Sequence, residues 1–147
     1  MIKTNYHTHV KLCNHAEGMP IDYVKKAYEL GYEEIGISDH GPLLPEWTHR
    51  MDLDQFYNTY LPSIVEAKNI YQDKIKVYKG LELEYLSNYK EHYAKLLKDL
   101  DYIILGQHVI KNKERLYDIY REMNEENVWL YKEQVIEGMS TGYFKIL

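Results

Sequence analysis

His7-Thr8-His9 places two imidazoles two residues apart near the start of the chain. In an extended segment, residues i and i+2 point to the same face, so both rings can reach one ion. His15 follows within nine residues of the first. Neutral imidazole is the commonest side-chain ligand for zinc, manganese or iron. A His-x-His pair alone is a weak sign, because exposed or hydrogen-bonded histidines are commoner than ligands. Further on, however, stand Asp39-His40, Glu82 and His108. A carboxylate such as Glu82 has two oxygens and can bridge two cations. Two metals about 3.5–4 Å apart can bind an attacking hydroxide and the phosphoryl oxygens together. A ligand set dominated by imidazole favours zinc, manganese or iron over magnesium or calcium. The chemistry suits a multinuclear metal site.

Such residues need a scaffold, and the rest of the sequence reads as alternating strand and helix. Ile2 to His7 forms a short strand that ends in histidines. Pro20 stands where a first helical turn begins. Ile21, Val24, Ala27, Tyr28 and Leu30 follow at helical spacing, with Gly31 as the stop. Glu34 to Ser38 is a second strand, running into Asp39-His40-Gly41-Pro42. Residues 41–52 hold two prolines, a glycine and a tryptophan and are expected as loop. A helical stretch from about Asp54 to Tyr71 is kinked or divided by Pro62. Lys76 to Leu83 is a third strand, carrying Gly80 and Glu82. Asn88 can cap a helix with Tyr89, Tyr93, Leu96 and Leu100 among its apolar positions. Tyr102 to Leu105 is an apolar run of the kind found in buried parallel strands, and it leads into Gly106-Gln107-His108. Glu114 to Met139 is helix-compatible, with Trp129, Tyr131 and Val135 expected to point inward, and Tyr143 to Leu147 reads as a fifth strand.

This alternation predicts an α/β fold with a parallel sheet, open or closed into a barrel. The histidines and acids fall just after strands one, two and four and within strand three. The carboxyl ends of strands are where α/β folds build their sites.

Composition bounds the rest. The chain has 147 residues, 45% of them hydrophobic and 28% charged, which fits one globular domain. A net charge of −5 argues against a nucleic-acid partner, whose binding surface is usually basic. No stretch approaches the roughly 20 apolar residues that cross a bilayer, and the first residues lack the apolar run of a signal peptide. Cys13 is the single cysteine and cannot form an internal disulfide. The expected address is cytoplasmic, with no membrane partner. The sixteen tyrosines read as amphipathic filler of core and surface. The sequence sets no oligomeric state.

Taken together, the motifs resemble a known family. His7-Thr8-His9 with Cys13-Asn14-His15-Ala16, then Ser38-Asp39-His40-Gly41-Pro42, Gly80-Leu81-Glu82 and Gly106-Gln107-His108 occur in the order of the motifs of the polymerase and histidinol phosphatase (PHP) family. The resemblance covers essentially the whole chain, residues 1–147. It implies the N-terminal part, about five β/α units, of a distorted (β/α)7 barrel with a trinuclear centre of divalent zinc, manganese or iron. His7, His9 and Glu82 would hold the first metal, Glu82 and His108 the second, and His15 and His40 the third. Asp39 would either orient a ligand imidazole or cap a turn. Glu84 is a weaker candidate ligand, and Cys13 reads as packing. His49 and His92 match no motif and are expected at the solvated surface. Arg50 and Arg115, in segments after strands two and four, could reach a phosphate or simply be exposed.

Within the family the likeness is greatest to histidinol-phosphate phosphatases. The implied function is hydrolysis of a small phosphorylated substrate, histidinol phosphate, in histidine biosynthesis. The alternatives are another PHP phosphoesterase acting on phosphotyrosine or nucleotides, or a catalytically incomplete metal-binding fragment. Amidohydrolases also open with His-x-His, but the additional His15, the Ser-Asp-His motif and the Gly-x-Glu motif stand against them. The family carries further ligands after the fifth strand, so the chain is expected to be truncated at its C-terminus and weakly active alone.

Overall fold

The computed structural model describes residues 2–43, 49–113 and 115–147. Four strands, β1 (Thr4–Asn5), β2 (Glu34–Ile37), β3 (Lys76–Leu83) and β4 (Tyr102–Leu105), form one parallel sheet in the order β1-β2-β3-β4. Parallel neighbours require crossover connections, and helical segments lie in each of them. Those helices are α1 (Pro20–Glu29), then α2 (Leu53–Gln55) with α3 (Leu61–Ile70), and α4 (Lys90–Leu96). A strictly sequential order winds the sheet one way, as in a barrel, with no topological switch point. The expected fifth strand appears as one parallel bridge, Ile104 to Ile146. Lys145 N–H donates to the Ile103 carbonyl and Leu105 N–H to the Ile146 carbonyl, so the winding continues beyond β4.

Strand alternation sorts the two faces. Ile35, Ile37, Val77, Leu81, Leu83, Ile103 and Leu105 join the hydrophobic core with Val24, Ala27, Ile64 and Leu96 from the helices. The opposite face carries Gly36 paired with Tyr78, Gly80 paired with Tyr102, and beyond them Glu82 beside Ile104. Tyr102 lies flat over both glycines and donates from its hydroxyl to the Tyr6 carbonyl, 2.6 Å away, across the whole sheet. A Cβ on Gly36 would sit 2.0 Å from the Tyr102 hydroxyl oxygen, and one on Gly80 2.3 Å from Tyr102 Cζ. The glycines thus form a furrow that lets one tyrosine tie β4 to β1. Gly36→Ala is expected to destabilise by about 3 kcal/mol, the upper end of ordinary overpacking. Replacing Tyr102 by Phe in that background should recover part of the loss. Urea unfolding of the single and double variants checks this, and an unshifted midpoint for Gly36→Ala would refute the furrow.

The helices follow their local chemistry. Pro20 opens α1, Asp22 accepts the Met19 N–H, and Gly31 at φ +77° closes the helix in the left-handed region. Pro62 does divide the second helical stretch. Pro62 has no N–H to bond back four residues, and the turn before it, Phe56–Tyr60, is a π-helix in which Leu61 N–H reaches the Phe56 carbonyl. This turn directs Tyr60 into the core, where its hydroxyl accepts from Asp39 N–H and donates to the Gly80 carbonyl. The ends of β2 and β3 are tied together there.

Two expectations need correction. Residues 115–124 are not helical: β5 (Val109–Asn112) and β6 (Arg115–Asp118) form an antiparallel hairpin, and the helix α5 spans only Glu125–Ser140. Val109-Ile110 and Leu116-Tyr117 carry strand propensity, which the polar residues around them masked. Glu114 lies outside the described residues, as do residues 44–48 of the expected loop with Pro45 and Trp47. Trp129 points outward and is 58% exposed. Gly138 faces the core against Tyr85, and Trp129 lies about two and a half turns away, on the opposite side of the helix. Val135 and Met139 do pack against the core.

Candidate metal centre

His7, His9, His15, His40, Glu82 and His108 line one cleft of about 460 Å3, together with His49, Arg50, Asp118 and Tyr120. They arrive from four strand ends. The segment after β1 runs alongside β2, Thr8 N–H donating to Ser38 Oγ and Ser38 N–H to the Thr8 carbonyl, so His7 and His9 project to the cleft. His40 forms a parallel bridge with Glu82 just past β2. His108 follows β4 after a glycine with a specific purpose. A Cβ on Gly106 would stand 2.0 Å from Glu82 Oε1, so only glycine leaves room for that carboxylate.

Glu82 is the hub. Its Oε2 lies 3.1 Å from His7 Nε2, 3.2 Å from His9 Nε2 and 3.3 Å from His40 Nδ1, and its Oε1 lies 3.5 Å from His108 Nε2. His7 Nε2 and His9 Nε2 are themselves 3.1 Å apart. Donors bound tetrahedrally at zinc distances lie about 3.4 Å from one another, so these separations fit a small ion. Four groupings among the described residues bring ligand atoms within 4.8 Å of one another: His7, His9 and Glu82; His40, Glu82 and His108; His9, His15 and His40; and His9, Cys13 and Asp39. His40 borders two of them, so its geometry is not restricted to a pairing with His15.

The far side of three rings is fixed. His9 Nδ1 lies 3.1 Å from Asp39 Oδ1, His108 Nδ1 lies 3.0 Å from Glu84 Oε1, and His15 Nδ1 lies 3.2 Å from the Cys13 carbonyl. Carboxylate and carbonyl oxygens can only accept, so each Nδ1 carries a proton and Nε2 is the nitrogen left to bind an ion, which on His9 means displacing a second proton. His40 Nδ1 is buried without a hydrogen-bond partner among the described residues. Burial pulls its pKa down to about 4, leaving a neutral ring.

Electrostatics favours a cation here. Burial would raise the Glu82 carboxyl, but hydrogen bonds from His7 and His9 and the nearby His40 and His108 outweigh it and hold the pKa well below the carboxylate range. Burial likewise opposes charge on His9, yet Asp39 and Glu82 raise its pKa to about 9. Cys13 is different: burial first, then its contact with Asp39, pushes the thiol up to about 12, and its Sγ donates to the Val10 carbonyl. It stays a packed thiol.

The remaining candidates differ in their places. Arg50 borders the cleft, but both its terminal guanidinium nitrogens are engaged by Glu84, at 2.8 and 2.9 Å, with both residues buried. Arg115 pairs with Glu122 and stacks over the Tyr117 ring, outside the residues lining the cleft. His49 is exposed as expected, but it borders the cleft with its ring centroid 6.1 Å from that of His15. His92 is half-buried, its Nε2 against the Pro42 carbonyl, which corrects its expected surface position.

Sequence reasoning named Glu84, two residues beyond Glu82, as a weaker ligand candidate, but missed its place behind the His108 ring. It also missed Asp118 and Tyr120, the latter stacked on His108 with centroids 6.2 Å apart. Both come from the unforeseen hairpin and the turn after it.

Comparison with known proteins identifies the family and the fold. The PHP domain family model matches residues 5–146. The Deinococcus radiodurans protein named "Probable histidinol-phosphatase" is 27% identical over 146 residues, covering 96% of this chain and 53% of that protein. The solved HisK protein of Listeria monocytogenes superposes with a TM-score of 0.69 at 22% identity, over 92% of this chain and 59% of that one. The histidinol phosphate phosphatase of Lactococcus lactis, crystallised with zinc, L-histidinol and phosphate, superposes with a TM-score of 0.61 at 23% identity. That match covers 85% of this chain and 48% of the other. The chain thus shares the fold of these proteins and spans about half the length of the curated relative.

Proposed function

Because the chain belongs to the PHP domain family, we propose that its histidine–carboxylate cleft holds divalent transition metals, zinc foremost, and serves hydrolysis of a small phosphate monoester of the histidinol phosphate class. The observation that carries this reading is the orientation of the rings. His9, His15 and His108 each have Nδ1 held from behind, and Nε2 of His7, His9 and His108 converges on the two oxygens of Glu82. His7, His9 and Glu82 would hold one ion and His108 a second that shares Glu82. His15 and His40 would serve a third, with His40 also within reach of the second.

When bound, such ions supply a nucleophile at neutral pH and neutralise charge on phosphoryl oxygens. The chain's own part is to fix their positions. Glu82 sits against Gly106 with no room to swing, and Asp39 holds His9 while also accepting the His40 N–H at 2.9 Å. The substrate assignment follows the relatives' names and the zinc, L-histidinol and phosphate bound by the Lactococcus enzyme. No helix among the described residues is long and apolar enough to cross a membrane.

Metal removal offers a direct check. Chelated protein should unfold at lower temperature than protein given two or three equivalents of zinc, because a ligand that binds only the folded state stabilises it by mass action. At zinc about 100-fold above its dissociation constant the gain is about 2.7 kcal/mol. Phosphate release should then favour histidinol phosphate over a phosphotyrosyl peptide and a nucleoside monophosphate. Faster turnover of either competitor would remove the substrate assignment and leave the metal centre standing.

A further inference from the structure

We propose that Arg50 and Glu84 form a positioning pair that holds His108 on the metal centre, and that Arg50 acts through this pair and not on substrate phosphate. The inference rests on the metal reading above and goes beyond it by assigning two residues outside the ligand set.

Glu84 is fully buried two residues past the hub carboxylate. Its Oε1 lies 3.0 Å from His108 Nδ1 and also accepts Arg50 Nη2 at 2.9 Å, while its Oε2 accepts Arg50 Nη1 at 2.8 Å. A carboxylate gripped by a planar fork cannot rotate, so the oxygen facing His108 is fixed in direction. The His108 ring can satisfy that oxygen only with Nδ1–H, which commits Nε2 to the cleft, 3.5 Å from Glu82 Oε1. Asp39 does the same for His9, its Oδ1 shared between the His9 ring and the His40 N–H. Two metal-facing rings are thus braced from behind by two buried carboxylates. The Arg50 brace has an additional reach. Arg50 lies between His49, which borders the cleft, and buried Met51, whose N–H donates to the His40 carbonyl. The same guanidinium that fixes Glu84 therefore docks the segment after β2 beside the centre.

The test uses the full chain, zinc alone as ligand, and a chromophoric chelator as competitor, with Glu84→Gln, Arg50→Lys, His108→Ala and the Glu84→Gln/His108→Ala double variant. Glutamine keeps the size but cannot satisfy both the Arg50 fork and the His108 N–H. The expected result is a 10–100-fold loss of affinity for one zinc in Glu84→Gln, with near-UV circular dichroism as in the parent. Arg50→Lys should lose less, and cobalt-substituted protein should show altered visible bands in both. In the His108→Ala background Glu84→Gln should cost nothing further, because the pair acts through that ring. Parental affinity in folded Glu84→Gln, or an undiminished loss in the double variant, overturns the inference while the metal centre stands. If His108→Ala itself leaves zinc binding intact, the ligand assignment fails and takes this inference with it. Should Glu84→Gln not fold, Arg50→Lys carries the same comparison, with parental affinity and cobalt bands as the overturning result.

Discussion

Replacing Glu82 by alanine is expected to strip the centre of tightly bound metal and to lower phosphate release by about 10²-fold or more. The two oxygens of Glu82 approach four of the candidate ligands: His7, His9 and His40 stand around its Oε2 and His108 beside its Oε1. Removing it takes away the anion that favours a cation at the heart of the cleft and the carboxylate that, among the described residues, belongs to two of the candidate ion-holding groupings. The remaining imidazoles can still bind single ions weakly, but they cannot fix a separation between two. Catalysis by paired metals depends on that separation, and small misplacements cost about 10²-fold in rate. Elemental analysis after gel filtration, with phosphate release measured on the same sample, reads both effects. Retention of the parental zinc content would exclude Glu82 as the hub.

The largest effect on stability is expected from Arg50→Met. The change leaves Glu84 wholly buried with its carboxylate facing only the His108 ring, and breaking a buried ion pair from one side costs about 3–5 kcal/mol. For a domain of this size that corresponds to a fall in Tm of roughly 10 °C or more. Arg115→Met is the instructive partner. Arg115 also pairs with a glutamate, but its side chain is 63% exposed, and such pairs contribute about 0–1 kcal/mol. Thermal unfolding of the two variants should therefore differ widely. Equal shifts would mean that the Arg50–Glu84 contact contributes no more than a surface pair.

How far the sequence could be read depended on whether a residue's role was local. Lys76–Leu83 and Tyr102–Leu105 emerge as strands at their expected boundaries, because apolar runs bounded by turn residues are a local signal. Pro62 announced a break but not its form; the π-turn exists so that Tyr60 can reach Asp39 and Gly80, which are distant in sequence. The hairpin at Val109–Asp118 stayed hidden because its pairing joins short, half-polar segments whose alternation is weak. In the cleft, the six ligand candidates were legible from residue type and strand position. Among their supports, Asp39 was foreseen as an orienting partner or a turn cap; the pair behind His108 was not. Glu84 and Arg50 are 34 residues apart, and only the folded sheet brings them together behind His108. Gly36, Gly80 and Gly106 look like ordinary strand glycines until Tyr102 and Glu82 are seen resting on them.

Anomalous diffraction at the zinc edge, from crystals of the protein grown with zinc, tests the central claim most directly. The account predicts strong peaks at bonding distance, about 2.0–2.2 Å, from His7 Nε2, His9 Nε2 and Glu82, and a second peak shared by Glu82 and His108 Nε2. Peaks confined to surface histidines such as His49, with none beside Glu82, would contradict it.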